Sequence, residues 1–116
     1  MSIKKFEDLI AWNKAQDLAV EIYSSFSHLK DFGFRDQIQK AVISISNNIS
    51  EGFDRSSKAD FTRSLFYSIG SSSEVKSMLY LSARLGYLEN SKAETLIQKT
   101  NEVAKIIRGL IKSLTT

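Results

Sequence analysis

The sequence predicts an all-α fold, a single antiparallel up-down-up-down four-helix bundle formed by residues 1–116. Apolar residues recur at intervals of three and four, the period of one helix face. Proline is absent and the five glycines are widely spaced, so few positions interrupt a helix. Alternating apolar runs bounded by turn dipeptides, which are typical of strands, are missing. The breaks between the periodic segments are short, and this favours antiparallel neighbours.

The first helix is predicted from Phe6 or Asp8 to Ser27. Its apolar face carries Trp12, Ala15, Ala19, Ile22, Tyr23 and Phe26. The only tryptophan is interpreted as a core residue near one end of the bundle. A break follows from His28 to Gly33, in which Gly33 could adopt the positive φ of a turn and the only histidine is solvated.

The second helix, predicted from Phe34 to Phe53, carries an unusual polar stripe beside its apolar one. Ile38, Val42, Ile45 and Ile49 form the apolar stripe that faces a core. The neighbouring stripe consists of Ala41, Ser44, Asn48, Glu51 and Arg55. Serine and asparagine compete with the helical backbone for hydrogen bonds. We therefore expect a facing helix or another subunit to compensate them.

The third helix is predicted from Lys58 to Leu85, with Ser56 or Ser57 as its N-cap and Ser57 to Asp60 approximating a capping box. Its inward face contains Phe61, Leu65, Ile69, Ser72, Leu79 and Ala83. A second stripe contains Phe66, Gly70, Ser73, Ser77 and Tyr80. Glycine within a helix costs about 1 kcal/mol relative to alanine. Gly70 therefore predicts close approach of another helix, from the same chain or from a neighbouring subunit.

Gly86 is predicted to close the third helix in a Schellman motif with Leu88 as its hydrophobic contact. Ser91 to Glu94 reads as a capping box for a fourth helix, predicted from Lys92 to Leu114. The inward face of that helix contains Leu96, Ile97, Thr100, Val103, Ala104, Ile107, Leu110, Ile111 and Leu114. Its opposite face carries basic residues.

The residue inventory argues against catalysis and against a bound metal or cofactor. Cysteine is absent and histidine occurs once, so thiolate metal sites are impossible and the Glu-x-x-His motif of di-metal bundles is missing. Neither a glycine-rich phosphate loop nor a nucleophile elbow occurs. We expect neither an enzyme nor a small-molecule substrate. Charges near the N-terminus and the lack of about 20 consecutive apolar residues predict no signal peptide, no membrane span and a cytoplasmic location.

The polar stripe has two interpretations. In the first, Glu51 and Arg55 form an i,i+4 pair while Ser44 and Asn48 hydrogen-bond across to the third helix, and such contacts can fix register or oligomeric state. The residues of this structural or assembly motif are Ser44, Asn48, Glu51, Gly52, Arg55, Gly70, Ser71 and Glu74. In the second interpretation, the stripe lines a small polar pocket or contacts phosphate through Arg55. We favour the first, because pairing with Glu51 would consume the charge of Arg55.

Basic residues suggest an anionic partner. The formal net charge is +3 and the sequence pI is about 9.2. Lys105, Arg108 and Lys112 fall within an arc of about 60° on the fourth helix, and phosphate binding requires such clustering. Arg63 and Arg84 on the third helix are further candidates, together with Lys58 and Lys76 on the same helix and Lys4 and Lys5 at the N-terminus. The alternative is a solvated face, since the stripe on the fourth helix contains no aromatic residue for stacking.

Several segments together resemble a known family: SISNNISEGFDR, the upstream QIQKA, and the downstream SIGSSSEV and LGYL. They are similar to the small bacterial four-helix-bundle proteins encoded in 23S rRNA intervening sequences. Their relatives include the accessory variability determinant proteins of diversity-generating retroelements. The resemblance implies a left-handed bundle that assembles into a cyclic homo-oligomer, a pentamer. It also implies nucleic-acid binding and a reverse-transcriptase-type protein partner, as in the retroelement relatives.

These observations predict a non-catalytic oligomeric bundle that binds RNA or a ribonucleoprotein partner through basic residues. The alternative is an oligomeric protein-interaction scaffold without affinity for nucleic acid.

Overall fold

The computed structural model describes residues 3–55 and 57–116, and four α-helices account for most of them. A short 3-10 turn at Phe6–Asp8 precedes α1 (Ile10–Phe26), and α2 (Phe32–Phe53), α3 (Lys58–Arg84) and α4 (Asn90–Thr115) follow. Each helix packs against its two neighbours around a square, in the order α1, α2, α3 and α4. The molecule measures 44 × 21 × 20 Å, and its long dimension is close to the length of α3. The predicted all-α four-helix bundle is confirmed.

The core lies along the bundle axis, and its largest inaccessible side chains come from all four helices. On α1 the buried stripe is Ala11, Ala15, Leu18, Ile22 and Phe26. The prediction that Tyr23 belongs to the core is wrong, because this side chain is 39% exposed. A residue next to Ile22 lies 100° around the helix from it, so the two cannot face the same core. Trp12 is half-buried at the edge of the core and packs edge-on against Phe6, with ring centroids 5.3 Å apart.

Both α1 and α2 begin at positions that differ from the prediction. α1 begins at Ile10, after the 3-10 turn, and not at Phe6 or Asp8. The predicted turn at Gly33 is wrong, because Gly33 lies in the first turn of α2. Asp31 is the N-cap, and its carboxylate accepts a hydrogen bond of 3.1 Å from the Phe34 N–H. This cap starts the helix two residues earlier than glycine alone suggested.

The caps of α3 follow the prediction, except that Tyr87 and not Leu88 occupies the C″ position of the Schellman motif. The Ser57 hydroxyl oxygen accepts a hydrogen bond of 3.1 Å from the Asp60 N–H, whereas Ser56 lies outside the described residues. At the other end Gly86 has a φ of 76°, the Tyr87 N–H donates to the Ser82 carbonyl and the Gly86 N–H donates to the Ala83 carbonyl. These two bonds define a Schellman motif.

The predicted capping box of α4 is wrong. The helix begins at Asn90, and Glu89 occupies the N-cap position without a side-chain hydrogen bond. Ser91 therefore lies within the first turn, where its carbonyl accepts a hydrogen bond of 3.0 Å from Thr95 Oγ1. Tyr87 and Leu88 pack on the core directly after the Gly86 turn, so the chain enters α4 early. In the described part of the chain, none of the helices combines the length and the apolar character needed to cross a membrane.

Candidate nucleic-acid interface

The five basic residues predicted to bind nucleic acid do not form one patch. Lys105, Arg108 and Lys112 are all exposed on one face of α4, as their spacing predicted. Arg63 and Arg84 lie at opposite ends of α3, about 30 Å apart at 1.5 Å per residue. Arg63 pairs with Asp60 at 3.3 Å, which partly neutralises it. The α4 stripe is therefore the cluster that remains.

A groove between α3 and α4 adds a further cation to this stripe. We call it the α3/α4 groove; its lining residues are Ser72, Ser73, Lys76, Thr100, Asn101, Ala104 and Arg108. Lys76 comes from α3 and Arg108 from α4, so the two helices contribute one cation each. Lys105 and Lys112 lie on the same side of α4 as Arg108. Helix packing thus joins residues that are 32 positions apart in the sequence.

The polar groups of the groove differ in how they are satisfied. The buried hydroxyls of Ser72 and Thr100 donate to carbonyls of their own helices, Ile69 O and Leu96 O, both at 2.7 Å. The side chains of Ser73 and Asn101 are exposed and make no hydrogen bond within residues 3–55 and 57–116. The rim of the groove therefore presents a hydroxyl, an amide, an ammonium and a guanidinium, all of which can donate hydrogen bonds to phosphate oxygens.

The α3/α4 groove also differs in charge from the groove between α1 and α4. The α1/α4 groove is lined by two lysines and three carboxylates. There Lys99 binds Glu21 at 2.7 Å and Lys14 lies 3.9 Å from Glu102. The lining of the α3/α4 groove contains no carboxylate, and within the described residues neither Lys76 nor Arg108 forms an ion pair. Its positive charge is therefore available to an anion from solution.

The volume of the α3/α4 groove is only about 70 Å³. Pockets that bury a small-molecule ligand typically enclose about 300–1,000 Å³. The groove is therefore suited to surface contacts with phosphate groups and cannot bury a nucleoside.

One hydrogen bond between α2 and α3 is present among the residues of the predicted motif. Ser71 Oγ lies 2.9 Å from Ser44 Oγ and donates a hydrogen bond to it across the two helices. The prediction that Asn48 also bonds across is wrong, because its amide donates to the Ser44 carbonyl at 2.8 Å and to Ser44 Oγ at 3.0 Å. A short side chain on a helix reaches the carbonyl four residues earlier more easily than it reaches a neighbouring helix. Glu74 accepts instead from Gln37, at 3.3 Å.

The predicted ion pair between Glu51 and Arg55 is absent from the described residues. α2 ends at Phe53, so Arg55 lies beyond the helix and no longer stacks one turn above Glu51. It lines a separate concavity together with Asp60 and Arg63. Ser44 and Ser71 line a different groove, between α2 and α3, which Lys40 and Glu74 balance in charge. The structure therefore does not unite Arg55 with the polar stripe in one pocket.

The two glycines of the motif have different environments. A Cβ atom on Gly52 would lie 2.6 Å from Ser64 Oγ, so Gly52 is the position of close approach between α2 and α3. A Cβ atom on Gly70 would meet no atom within 4 Å among the described residues. The prediction that a helix of the same chain approaches Gly70 closely is therefore wrong. Sequence reasoning also missed Ser73 and Asn101 as groove residues, because spacing within one helix does not indicate which neighbour flanks it.

These features define a class, an all-α four-helix bundle with a cationic groove along one edge. Within the described residues, no three histidine or acidic side chains are grouped so that they could hold a metal ion. Residues 7–109 match the family model described as 23S rRNA-intervening sequence protein, and the chain belongs to this family. The predicted resemblance to the 23S rRNA intervening-sequence proteins is confirmed, and the relation to the retroelement proteins stays a prediction.

A solved structure from Bacteroides thetaiotaomicron VPI-5482 is similar to this chain. It is described as a protein with unknown function from the S23 ribosomal protein family. The two sequences are 27% identical, the TM-score is 0.82, and the match covers 89% of this chain and 99% of the other. The search of curated proteins found no match.

Proposed function

We propose that this protein is a non-catalytic, oligomeric helical bundle that binds RNA, alone or within a ribonucleoprotein, through the α3/α4 groove. The observation that carries the proposal is the position of Lys76 and Arg108 on opposite sides of a groove whose lining contains no carboxylate. Lys105 and Lys112 extend the same positive surface along α4. RNA is the first ligand to test because the family description refers to intervening sequences of 23S rRNA.

The expected affinity depends on salt. Each phosphate contact releases condensed counterions, with a slope of about −0.7 per contact in log K against log salt for single strands. If Lys76, Lys105, Arg108 and Lys112 each contact one phosphate, raising the salt from about 50 to 200 mM lowers the affinity about 50-fold. Each cation removed should lower the slope by a similar increment.

The experiment is a titration of the full chain into fluorescein-labelled RNA at several salt concentrations. We expect Lys76→Ala combined with Arg108→Ala to weaken binding and to flatten the salt slope by nearly half. The matched control is Lys14→Ala combined with Lys99→Ala, which removes two lysines that carboxylates already neutralise. Absence of RNA binding at the lowest salt, or equal loss in both double variants, would contradict the proposal.

Oligomerisation is part of the proposal and rests on the family resemblance, which implies a pentamer. The apolar surface between α1 and α2 supports it: Val20, Tyr23 and Ile43 are exposed there and line a common groove. A second copy covering this groove would remove apolar area from water. Repetition around a ring would also multiply the positive field of each groove. We also propose that the protein is cytoplasmic and binds a reverse-transcriptase-type protein, a partner that the family resemblance implies.

The same α1/α2 groove favours a second candidate function. An apolar surface of this kind fits a protein-interaction scaffold without affinity for nucleic acid. If the protein is such a scaffold, Lys76→Ala combined with Arg108→Ala leaves its binding to partners unchanged. If it binds RNA through the α3/α4 groove, the same double variant weakens binding.

A further inference from the structure

We infer that the nucleic acid bound at the α3/α4 groove is single-stranded, and that its bases stack on Phe66 and Tyr80 at the two ends of the groove. This inference rests on the proposed function, and it adds the strandedness of the ligand and the two residues that select it.

Phe66, Ser73 and Tyr80 lie along one flank of α3. Their spacing of seven residues is only about 20° short of two full helical turns, so each lies almost directly above the last. Ser73 lines the α3/α4 groove. Phe66 and Tyr80 therefore lie on the flank of α3 that faces the groove, about 10 Å to either side of Ser73. Lys76 is one turn from Tyr80 on the same flank.

Both rings are open to solvent. Phe66 is 58% exposed and Tyr80 is 55% exposed. In the described part of the chain neither ring takes part in an aromatic pair, and the Tyr80 hydroxyl makes no hydrogen bond. A single exposed apolar side chain is ordinary on a protein surface. Two rings at the ends of a groove with uncompensated cations form the combination on which single strands are bound, a cationic track with aromatic platforms.

The size of the groove favours stacking on its rim. A volume of about 70 Å³ is too small to enclose a base. The bases of a bound strand must therefore remain outside, where the exposed rings supply flat apolar faces. In a duplex the base faces are already stacked on one another and are hidden from side chains. Phe66 and Tyr80 can therefore contribute to binding a single strand and contribute nothing to binding a duplex.

The separation of the rings sets the length of the probe. Fourteen residues of helix span about 21 Å, equal to about six nucleotides at the stacked spacing of 3.4 Å. A single-stranded RNA of about ten nucleotides reaches both rings and crosses the cations between them. A duplex of the same sequence presents the same phosphates without free base faces.

The test compares both RNAs on the full chain by fluorescence anisotropy at about 100 mM salt. We expect Tyr80→Ala and Phe66→Ala each to weaken single-strand binding by about 5- to 150-fold, while duplex affinity stays unchanged. Tyr80→Phe removes only the hydroxyl and keeps the ring, so this variant should bind the single strand as tightly as the original protein. The matched control is Tyr67→Ala: Tyr67 is 62% exposed on α3 but lines the concavity of Arg55 and Arg63, outside the groove.

The outcomes separate this inference from the proposed function. If neither RNA binds, both are overturned. If both RNAs bind through Lys76 and Arg108 but Tyr80→Ala and Phe66→Ala keep full single-strand affinity, RNA binding stands and stacking is overturned. Tighter binding of the duplex than of the single strand would also overturn the stacking inference. Loss of oligomeric mass in Tyr80→Ala, measured by light scattering, would instead assign the ring to an interface between copies and overturn the inference.

Discussion

At the scale of single residues, Gly52 sets the distance between α2 and α3. The position is buried, and a Cβ there would meet Ser64 Oγ at 2.6 Å and the Phe61 ring at 3.3 Å. The atom nearest to this added Cβ is Ser64 Cβ, which cannot move unless the backbone of α3 moves with it. Gly70 has the same residue type on an open surface. The two positions therefore separate the packing effect of a glycine from its helix propensity.

We expect Gly52→Ala to destabilise the bundle and Gly70→Ala to stabilise it. Overpacking costs about 1–3 kcal/mol, and replacing glycine in a helix returns up to about 1 kcal/mol. The net change at Gly52 is a loss of about 0–2 kcal/mol, whereas Gly70 gains about 0.5–1 kcal/mol. Urea unfolding followed by circular dichroism measures both. Equal shifts of the two variants in one direction would contradict the packing argument.

Asp31 and Tyr87 join two connections at one end of the bundle. The Tyr87 hydroxyl donates a hydrogen bond of 2.6 Å to the Asp31 carboxylate, and its ring packs edge-on against Phe34 with centroids 5.2 Å apart. The hydrogen bond from Tyr87, followed by that from the Phe34 N–H, lowers the pKa of Asp31 below its usual value of 3.8. The same bond to Asp31 raises the pKa of Tyr87 above 10.0.

The sign of each pKa shift predicts a pH dependence of stability. The Asp31 contribution is present above its unfolded pKa near 3.8 and is lost as the pH falls further. The Tyr87 contribution is present below its unfolded pKa near 10.0 and is lost as the pH rises through the higher folded value. Tyr87→Phe should therefore lower the melting temperature at pH 7 and reduce the losses below pH 4 and above pH 10.

Thermal unfolding between pH 2 and 11 measures this effect. Some acid sensitivity should persist in Tyr87→Phe, because the Phe34 N–H still binds the Asp31 carboxylate. Tyr67→Phe is the matched control, since this exposed tyrosine has no hydrogen bond to lose within the described residues. A pH profile of Tyr87→Phe that superposes on that of the original protein would contradict the assignment.

At the scale of elements, α2 tolerates its serines and Asn48 because their side chains hydrogen-bond within and beyond the helix. Ser44 Oγ accepts from Ser71 of α3 and from Asn48 of α2. Ser68 of α3 donates to the Ile45 carbonyl at 2.8 Å in the interior. Among the described residues, no buried side-chain nitrogen or oxygen is left without a partner. Two hydrogen bonds, from Ser71 to Ser44 and from Ser68 to the Ile45 carbonyl, therefore connect α2 with α3 within one chain.

A double-mutant cycle on Ser44→Ala and Ser71→Ala tests this register contact. A neutral hydrogen bond contributes about 0.5–1.5 kcal/mol, so we expect a coupling near 0.5–1 kcal/mol in the free energy of unfolding. Ser77→Ala is the control on α3: Ser77 is exposed and has no hydrogen bond among the described residues, so its change should be within a few tenths of a kcal/mol and additive with Ser44→Ala. A coupling free energy of zero between Ser44 and Ser71 would mean that this hydrogen bond does not stabilise the packing of α2 on α3.

At the scale of the whole molecule, the four grooves of the bundle have different characters. The α1/α4 groove is neutralised by its own ion pairs, the α2/α3 groove is polar and balanced, the α1/α2 groove is apolar and the α3/α4 groove is cationic. The apolar and cationic grooves lie on opposite edges of the square. A copy bound over the α1/α2 groove would therefore leave the α3/α4 groove uncovered.

Light scattering of the purified protein tests the assembly. We expect a mass of five times the 13.1 kDa chain, and a lower mass for Val20→Asp because a carboxylate in the α1/α2 groove would be desolvated on association. Ile10→Asp is the matched control, since Ile10 is equally exposed on α1 but does not line that groove. A monomeric original protein, or identical masses for both variants, would contradict assembly through this groove.

Local sequence patterns determined the four helices, the cap at Ser57, the turn at Gly86 and the exposed basic stripe of α4. Each of these depends on residues within a few positions of one another, so periodicity and turn chemistry are sufficient. Tertiary packing alone decided that Lys76 lies across a groove from Arg108 and that Gly52 rather than Gly70 is the close contact. Periodicity gives the face of a helix on which a residue lies. The neighbour of that face and its axial register follow from packing all four helices at once.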